Sequence, residues 1–349
     1  MSRLPIKKVL DEQEKLTGTY ISYCRGIPVT VYYHNQVLTV KPTPHSKQQI
    51  WSWQPETGIL ATEEGDYDGL LPILESLFGQ IPLLDRIYLT LSASLQSLLL
   101  QSGMVHISPT GKMVISRDIF WQLNDLWLTF PSSPYPQQLI MGNAQCRHPI
   151  RPAKKTGTLY RRFIPWLSQT LSFRALDIKE DLIDFHRWMH NPQVAEFWQQ
   201  ADSCETLSDY LQTLEQDAHC QTIIGCFDEK PFAYFEIYWA KEDRIAPFYI
   251  PDDYDRGWHL LVGEEAYRGK DWFCAWFPSL QHYLFLDDSR TQRIVAEPRH
   301  DNIKLIRNAH KFGFGTIKTF EFPHKKAQLL MLLRENFFQG NHIHPSILL

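Results

Sequence analysis

Long apolar runs, blocks of one charge and paired cysteines are all missing from this chain of 349 residues. No stretch approaches the ~18 consecutive apolar residues of a membrane-spanning helix, so no membrane partner is expected. The opening residues, MSRLPIKKVLDEQEK, lack the apolar centre that a secretory signal needs. Lys and Arg number 35 against 39 Asp and Glu, a net charge of −4, and no basic block stands out. A general nucleic-acid surface is therefore not expected, although a local basic pocket is compatible with these numbers. The six cysteines (Cys24, Cys146, Cys204, Cys220, Cys226 and Cys274) form no Cys-x-x-Cys pair. They read as reduced thiols in the cytoplasm, with neither a disulfide frame nor a metal site.

What the chain does have is aromatic bulk: 11 Trp, 15 Tyr and 20 Phe, enough for a ring-rich core and a pocket walled by flat rings. Hydrophobic residues make up 44% and charged ones 21%, a globular balance. The length suits about two domains of ~150 residues. A break falls between them: Pro131–Pro136, then Pro149, Pro152, Lys154 and Lys155, have the composition of a linker. The expected division is residues 1–130, a linker over 131–161, and a second domain over 162–349.

In the first part, Thr19–Tyr23, Val29–Tyr33 and Val37–Lys41 read as a strand meander. A helix follows over Tyr67–Phe78, a strand over Arg86–Thr90 and a helix over Ser92–Gln101. In the second part, a strand over Leu171–Leu176 precedes a helix that Asp177 caps and Asn191-Pro192 stops. Then come a helix over Thr206–Asp217 and strands over Thr222–Phe227, Phe232–Trp239 and Gly257–Gly263. A helix opens at Arg268-Gly269 and reaches Phe285, followed by a strand over Arg293–Glu297 and a helix over Asp301–Lys311. Strands over Phe314–Phe322 and Ala327–Leu333 close an α+β domain.

The two parts resemble each other. Arg86-Ile87 and Arg293-Ile294 each begin a strand that leads to a helix ending at Gly103 or Gly313. Leu77-Phe78 and Leu284-Phe285 both stand nine residues before the matching Arg-Ile. Arg117-Asp118-Ile119-Phe120-Trp121-Gln122 and Arg334-Glu335-Asn336-Phe337-Phe338-Gln339 follow in each. A degenerate duplication is the expectation.

The segment richest in chemistry is Gly257 to Trp272. A buried strand runs into Arg268-Gly269-Lys270, which opens a helix. Free N–H groups at a helix start, with a glycine for close approach and two cations, make a cradle for an anion such as pyrophosphate. The order of strand, cradle, helix, strand, then Asp301-Asn302 and a helix ending in Gly313-Phe314, resembles the GCN5-related N-acetyltransferase (GNAT) fold. That family binds acyl-coenzyme A. The resemblance implies that Leu261, Val262 and Gly263 pair with the pantetheine arm. It likewise assigns the cradle of Arg268, Gly269, Lys270, Asp271 and Trp272, with Asn302, to the cosubstrate, expected to be acetyl-CoA. Two departures stand out: Asp271 replaces the family's second loop glycine, and Ala309 stands where a tyrosine often protonates the thiolate.

Within that fold, residues 160–338 resemble the N-acyltransferases of hydroxamate siderophore biosynthesis. The resemblance rests on Arg187-Trp188-Met189-His190-Asn191-Pro192, Val194-Ala195-Glu196-Phe197-Trp198, Tyr234–Trp239, Gly257-Trp258-His259, Glu297–Asn302 and Pro323-His324-Lys325. It implies acyl transfer from a thioester to the nitrogen of an N-hydroxylated diamine or N6-hydroxylysine, giving a hydroxamate. Other siderophore-pathway enzymes are further candidate partners. His259 is then the expected general base, with Asp301 orienting it or sharing its proton. Trp198, Tyr238 and Trp239 would wall the acceptor chain, and Glu236 would pair with a distal ammonium.

The first part lacks these groups. Counting back from Arg86 places Ala61–Asp66 at the cradle and Ser52 at the position of His259, with Ser92–Ser94 at that of Asp301. A degenerate GNAT-like, catalytically silent first domain is the expectation. Two other functions fit the same residues: acetylation of an ordinary amine, and acyl-CoA binding without turnover.

Overall fold

The computed structural model describes residues 18–130, 137–142, 146–323 and 325–344. The opening residues, Pro131–Pro136 of the expected linker and His324 lie outside the described residues. The chain forms two compact units, Met1–Thr129 with Arg162–Gln169, and Phe130–Arg161 with Thr170–Leu349.

The first unit holds strands β1 (Thr19–Cys24), β2 (Ile27–His34), β3 (Val37–Val40), β4 (Gln49–Gln54) and β5 (Ile59–Ala61), then helix α1 (Tyr67–Gln80). Strand β6 (Arg86–Thr90), helix α2 (Ala93–Gln101), strands β7 (His106–Ile107) and β8 (Met113–Ser116) and helix α3 (Arg117–Phe120) complete it. Between the eight-stranded sheets, β9 (Leu139–Met141) and β10 (Arg147–Pro149) pair antiparallel within the expected linker.

The second sheet uses β11 (Thr158–Ile164) and β12 (Gln169–Ala175), followed by helices α4 (Ile178–Met189), α5 (Pro192–Trp198) and α6 (Cys204–Gln216). Next are β13 (Cys220–Phe227), β14 (Lys230–Trp239), β15 (Arg256–Val262), α7 (Lys270–Asp287) and β16 (Arg293–Ala296). Helix α8 (Ile303–Lys311), β17 (Gly315–Glu321), β18 (Lys326–Leu333) and α9 (Arg334–Gln339) end the unit. Asn191-Pro192 does stop α4, but it also starts α5. Asn191 accepts from Gln193 N, and proline at the first helical position gives up no hydrogen bond.

The duplication is plain in the sheets. Their strand orders are β1-β2-β3-β4-β5-β6-β8-β7 and β11-β12-β13-β14-β15-β16-β18-β17. In each, one parallel pair, β5 with β6 or β15 with β16, interrupts antiparallel neighbours. Arg86 pairs opposite Ser116 and Arg293 opposite Leu333, each just before the helix that begins Arg117 or Arg334. Even a buried polar contact repeats. Tyr20 on β1 donates to Glu75 at 3.2 Å and Tyr160 on β11 bonds His282 at 2.9 Å. Glu75 and His282 both stand eleven residues ahead of the matching arginine.

Each sheet wraps one largely buried helix. From Cys274 to Leu286 every residue of α7 is buried, Ser279, Gln281 and His282 included, which explains why its apolar residues are spread around the helix rather than striped. The helix is thereby fixed against the sheet, and with it the loop between β15 and Lys270. Among the described residues, no helix is long and apolar enough to cross a membrane.

Candidate active site

Three neighbouring strands put three ionisable side chains in one row. Glu236 on β14 lies opposite His259 on β15. Gly257 lies opposite Val295 on β16, so two residues further along both strands His259 meets Glu297. The imidazole bridges them, with Nδ1 2.9 Å from Glu236 Oε2 and Nε2 2.7 Å from Glu297 Oε1. Both carboxylates are anchored behind it. Tyr210 and Tyr234 donate to Glu236 Oε1 at 2.5 and 3.0 Å, and Tyr238 donates to Glu297 Oε2 at 3.0 Å.

The electrostatics follow from that packing. Burial alone would strip the proton from His259, but the charge of Glu297 and hydrogen bonds to both glutamates overcome it and push its pKa up to about 10. Glu236 and Glu297 are both held below the ordinary carboxylate range, because the imidazolium and, for Glu236, the tyrosine hydroxyls outweigh their burial. At neutral pH His259 is therefore a cation with both N–H groups engaged. The expected general base thus rests with a carboxylate at each ring nitrogen, neither of them Asp301.

The row opens into a cavity of about 720 Å³ lined by Trp198, Tyr210, Glu236, Tyr238, His259, Asp301 and Asn302, among others. Three expected residues have different surroundings from those anticipated. Asp301 shares the cavity but does not orient His259; its carboxylate takes a two-pronged bond from Arg299 at 3.1 and 2.7 Å. The orienting task falls to the two glutamates, which lie within strand-to-strand reach. Glu236 is not free for a distal ammonium, since its oxygens are taken by Tyr210, Tyr234 and His259. Trp239 is absent from the cavity wall because successive strand residues face opposite ways. Its ring lies between the guanidinium groups of Arg151 and Arg256, 4.3 and 4.1 Å from the ring centre. Leu261 is 3% exposed in the apolar cluster with Trp188 and Tyr234, so it has only backbone to offer a ligand.

Beyond Gly257, β15 and β16 part while β15 stays paired to β14 as far as Val262. The splayed edge carries the Leu260 carbonyl, which accepts from the Trp198 indole at 3.2 Å. At its end the Trp188 ring packs on Gly263 so closely that a Cβ there would fall 2.1 Å from Cγ of the ring. The cradle follows. Gly269 has φ +121°, a conformation that favours glycine, and caps α7 without a side chain. The exposed first turn, Lys270 and Asp271, presents its N–H groups at the positive end of an 18-residue helix, which suits a phosphate group. Arg268 is partly committed, donating to the Val262 carbonyl at 2.9 Å. The Trp272 ring packs against Phe227 and Tyr267 and anchors the turn. Asn302 caps α8, accepting from Leu305 N at 3.2 Å. Ala309, fully buried, carries no phenol that could meet a thiolate.

Glu297 is the residue that motif reading missed. It stood inside a quoted motif, and the signal was its place two residues past the parallel pairing with β15. The same geometry corrects the counterpart of His259 in the first unit. Ser52 pairs with Ala61, and Ala61 with Thr90. Thus Ala61 stands for His259, Ser52 for Glu236 and Thr90 for Glu297. Counting residues missed this by nine positions, because α1 is four residues shorter than α7 and the stretch from the row to the helix is five residues shorter in the first unit. The first unit's cradle is closed as well, since Asp66 itself caps α1 by accepting from Gly69 N at 2.9 Å.

Residues 177–322 match the profile of the acetyltransferase (GNAT) domain. An N(6)-hydroxylysine O-acetyltransferase of Escherichia coli is 42% identical over 226 residues, 64% of this chain and 71% of that protein. An N(5)-hydroxyornithine:cis-anhydromevalonyl coenzyme A-N(5)-transacylase of Beauveria bassiana is 39% identical over 224 residues, 60% of this chain and 49% of its own length. An uncharacterized protein of Bacillus halodurans, solved as a crystal structure, superposes with a TM-score of 0.51 at 31% identity, covering 54% of this chain and 96% of that one. With its splayed strands, its glycine-capped helix and these relatives, the chain belongs to the GNAT acetyltransferase family and is an N-acyltransferase.

Proposed function

We propose that the protein transfers the acyl group of an acyl-CoA, with acetyl-CoA the expected donor, to the hydroxylamine nitrogen of an N-hydroxylated diamine or N6-hydroxylysine. The product is a hydroxamate for siderophore assembly. The observation that carries the reading is the imidazolium of His259 held between two anchored carboxylates at the splay of β15 and β16.

A hydroxylamine is far less basic than an alkyl amine and arrives neutral near pH 7, so no strong base is needed to prepare it. Its nitrogen attacks the thioester carbonyl, the C–N bond forms and the C–S bond breaks. His259 gives its proton to the departing sulfur and takes back the proton the nitrogen must lose, so the site returns to its starting charge. Glu236 and Glu297 hold the ring in place and keep the proton on it between turnovers. The splayed edge of β15 and the first turn of α7 hold the cosubstrate's arm and pyrophosphate, and the aromatic wall of Trp198 and Tyr238 holds the acceptor chain. Asp301, paired with Arg299, shapes the cavity mouth. The first unit, with Ser52, Ala61 and Thr90 in the corresponding row, carries no turnover.

The test is free-thiol release from acetyl-CoA with N-hydroxyputrescine, N-hydroxycadaverine and N6-hydroxylysine, each against its parent amine. Rapid release with one hydroxylamine and none with its amine is the expected result. Release with the amines alone would replace this reading with ordinary amine acetylation. CoA binding without release from any of them would point to another acyl donor, and failure with succinyl-CoA as well would replace the reading with a silent binder.

A further inference from the structure

Several arginines of the second unit hold one carboxylate with two N–H groups. Arg151, Arg174, Arg290, Arg293 and Arg299 each close a two-pronged bond on one carboxylate, Glu242, Asp181, Asp288, Asp255 and Asp301 respectively. Arg244 closes none among the described residues. Its Nη2 lies 3.3 Å from His259 Nε2 and reaches Glu297 Oε1 only at 3.6 Å, where His259 already sits at 2.7 Å. Lys325 crowds the same oxygen from 3.7 Å. Arg244, Lys325 and His259 thus converge on Glu297, although Lys325 is held mainly by the Glu297 backbone carbonyl at 2.8 Å and His259 also by Glu236. Of the other acids that act on Arg244, Glu236 is bonded to His259 and two tyrosines, and Asp243 is turned towards His219 at 3.5 Å and the Ile245 amide at 3.0 Å. Lys325 feels the crowding: burial lowers its hold on its proton, Glu297 opposes this, and the Arg244 charge adds to the lowering. Arg244 lines the cavity, with half of its side chain exposed there.

A guanidinium matches a carboxylate with two parallel N–H donors, and a half-exposed fork that closes no such pair is free to take one. We infer that Arg244 receives a carboxylate carried by a substrate, next to the reacting centre. The inference rests on the acyl-transfer reading and narrows it. The carboxylate has two possible bearers: the α-carboxylate of an N-hydroxylated amino acid acceptor, or the terminal carboxylate of a dicarboxylic acyl group on the donor.

Two matched pairs separate these sources. N6-hydroxylysine and N-hydroxycadaverine differ only in the carboxylate, and are compared with acetyl-CoA as donor. Succinyl-CoA and acetyl-CoA are then compared with N-hydroxycadaverine as acceptor. Wild-type protein is expected to favour the carboxylated member of one pair in kcat/KM. Arg244→Gln should cut that preference about tenfold to a hundredfold, the worth of a charged hydrogen-bond pair, with Arg244→Lys between the two. Preference in the first pair assigns the acceptor, and in the second the donor. No preference in either pair, or a preference that survives Arg244→Gln, overturns the inference. Should only parent amines be acylated, the acyl-transfer reading for hydroxylamines fails separately, and lysine against cadaverine scores the same preference. Thermal stabilisation by N6-hydroxylysine against N-hydroxycadaverine reads it without any turnover.

Discussion

Replacing Glu297 by glutamine tests the central geometry most directly. The substitution keeps the shape and an oxygen for Tyr238 but removes the negative charge 2.7 Å from His259. In the intact row the imidazole pKa climbs from 6.5 to about 10 despite burial, a preference for the charged form worth about 5 kcal/mol. Two carboxylates share that work, with Glu297 the largest raising influence, so losing it should cost about 2 kcal/mol or more. The sign is fixed by the direction of the shift. A histidine raised on folding stabilises the fold fully below 6.5, and that contribution disappears as pH rises towards about 10. Glu297→Gln should therefore lower the pH at which His259 titrates by more than one unit. It should also flatten the alkaline fall in stability. Imidazole proton resonances followed through a pH titration give the first quantity and denaturant melts from pH 6 to 10 the second. In kinetics, the alkaline limb of kcat should move down with the same displacement. A His259 titration that stays where it was in Glu297→Gln would refute the row as the source of the charge, whatever the activity did.

The other predictions concern separate parts of the molecule. Asp301→Asn should leave the His259 titration unchanged, since Asp301 pairs with Arg299 instead; a displaced titration by the same resonances would contradict this. Gly269→Ala meets no atom within 4 Å yet forces a side chain onto φ +121°. It should raise KM for acetyl-CoA severalfold with kcat nearly intact, at a cost of about 1–2 kcal/mol in the turn. Gly263→Ala, by contrast, drives a Cβ into the Trp188 ring and should cost about 1–3 kcal/mol of stability in a thermal melt. In the first unit, Glu75 is buried beneath Tyr20, Ser22 and Trp127, and burial pushes its pKa up from 4.5 to about 7. A carboxyl raised on folding costs stability as pH climbs from 4.5 to about 7, here about 3 kcal/mol. Glu75→Gln should remove that slope, as denaturant unfolding at pH 4.5 and 8 would show.

Many of the elements, the repeat and the cradle were legible in the sequence because each is written in residues close together in the chain, whereas β4, β5, β11 and α5 went unread. Asp177, read as a cap, accepts from an amide that opens α4, whereas Ser203, which caps α6, was passed over for a start at Thr206. Gly269 marks the turn between strand and helix, and the spacing of Leu77-Phe78 and Leu284-Phe285 from their Arg-Ile pairs shows the duplication. The cysteine pattern and the absence of long apolar runs bounded the chemistry before any fold was known. Partnership within the site was a different matter. His259 is 23 residues from Glu236 and 38 from Glu297, and Asp301 is a closer neighbour in sequence than in bonding. Only the register of β14, β15 and β16 sets which side chains face one another, and a shift of one residue would turn the row to the opposite face. That same alternation sent Tyr238 to the cavity and Trp239 to a stack between two arginines. Side-chain types and local spacing thus named the residues capable of the chemistry. The hydrogen-bonded order of distant strands decided which of them meet, and made His259 a cation at neutral pH.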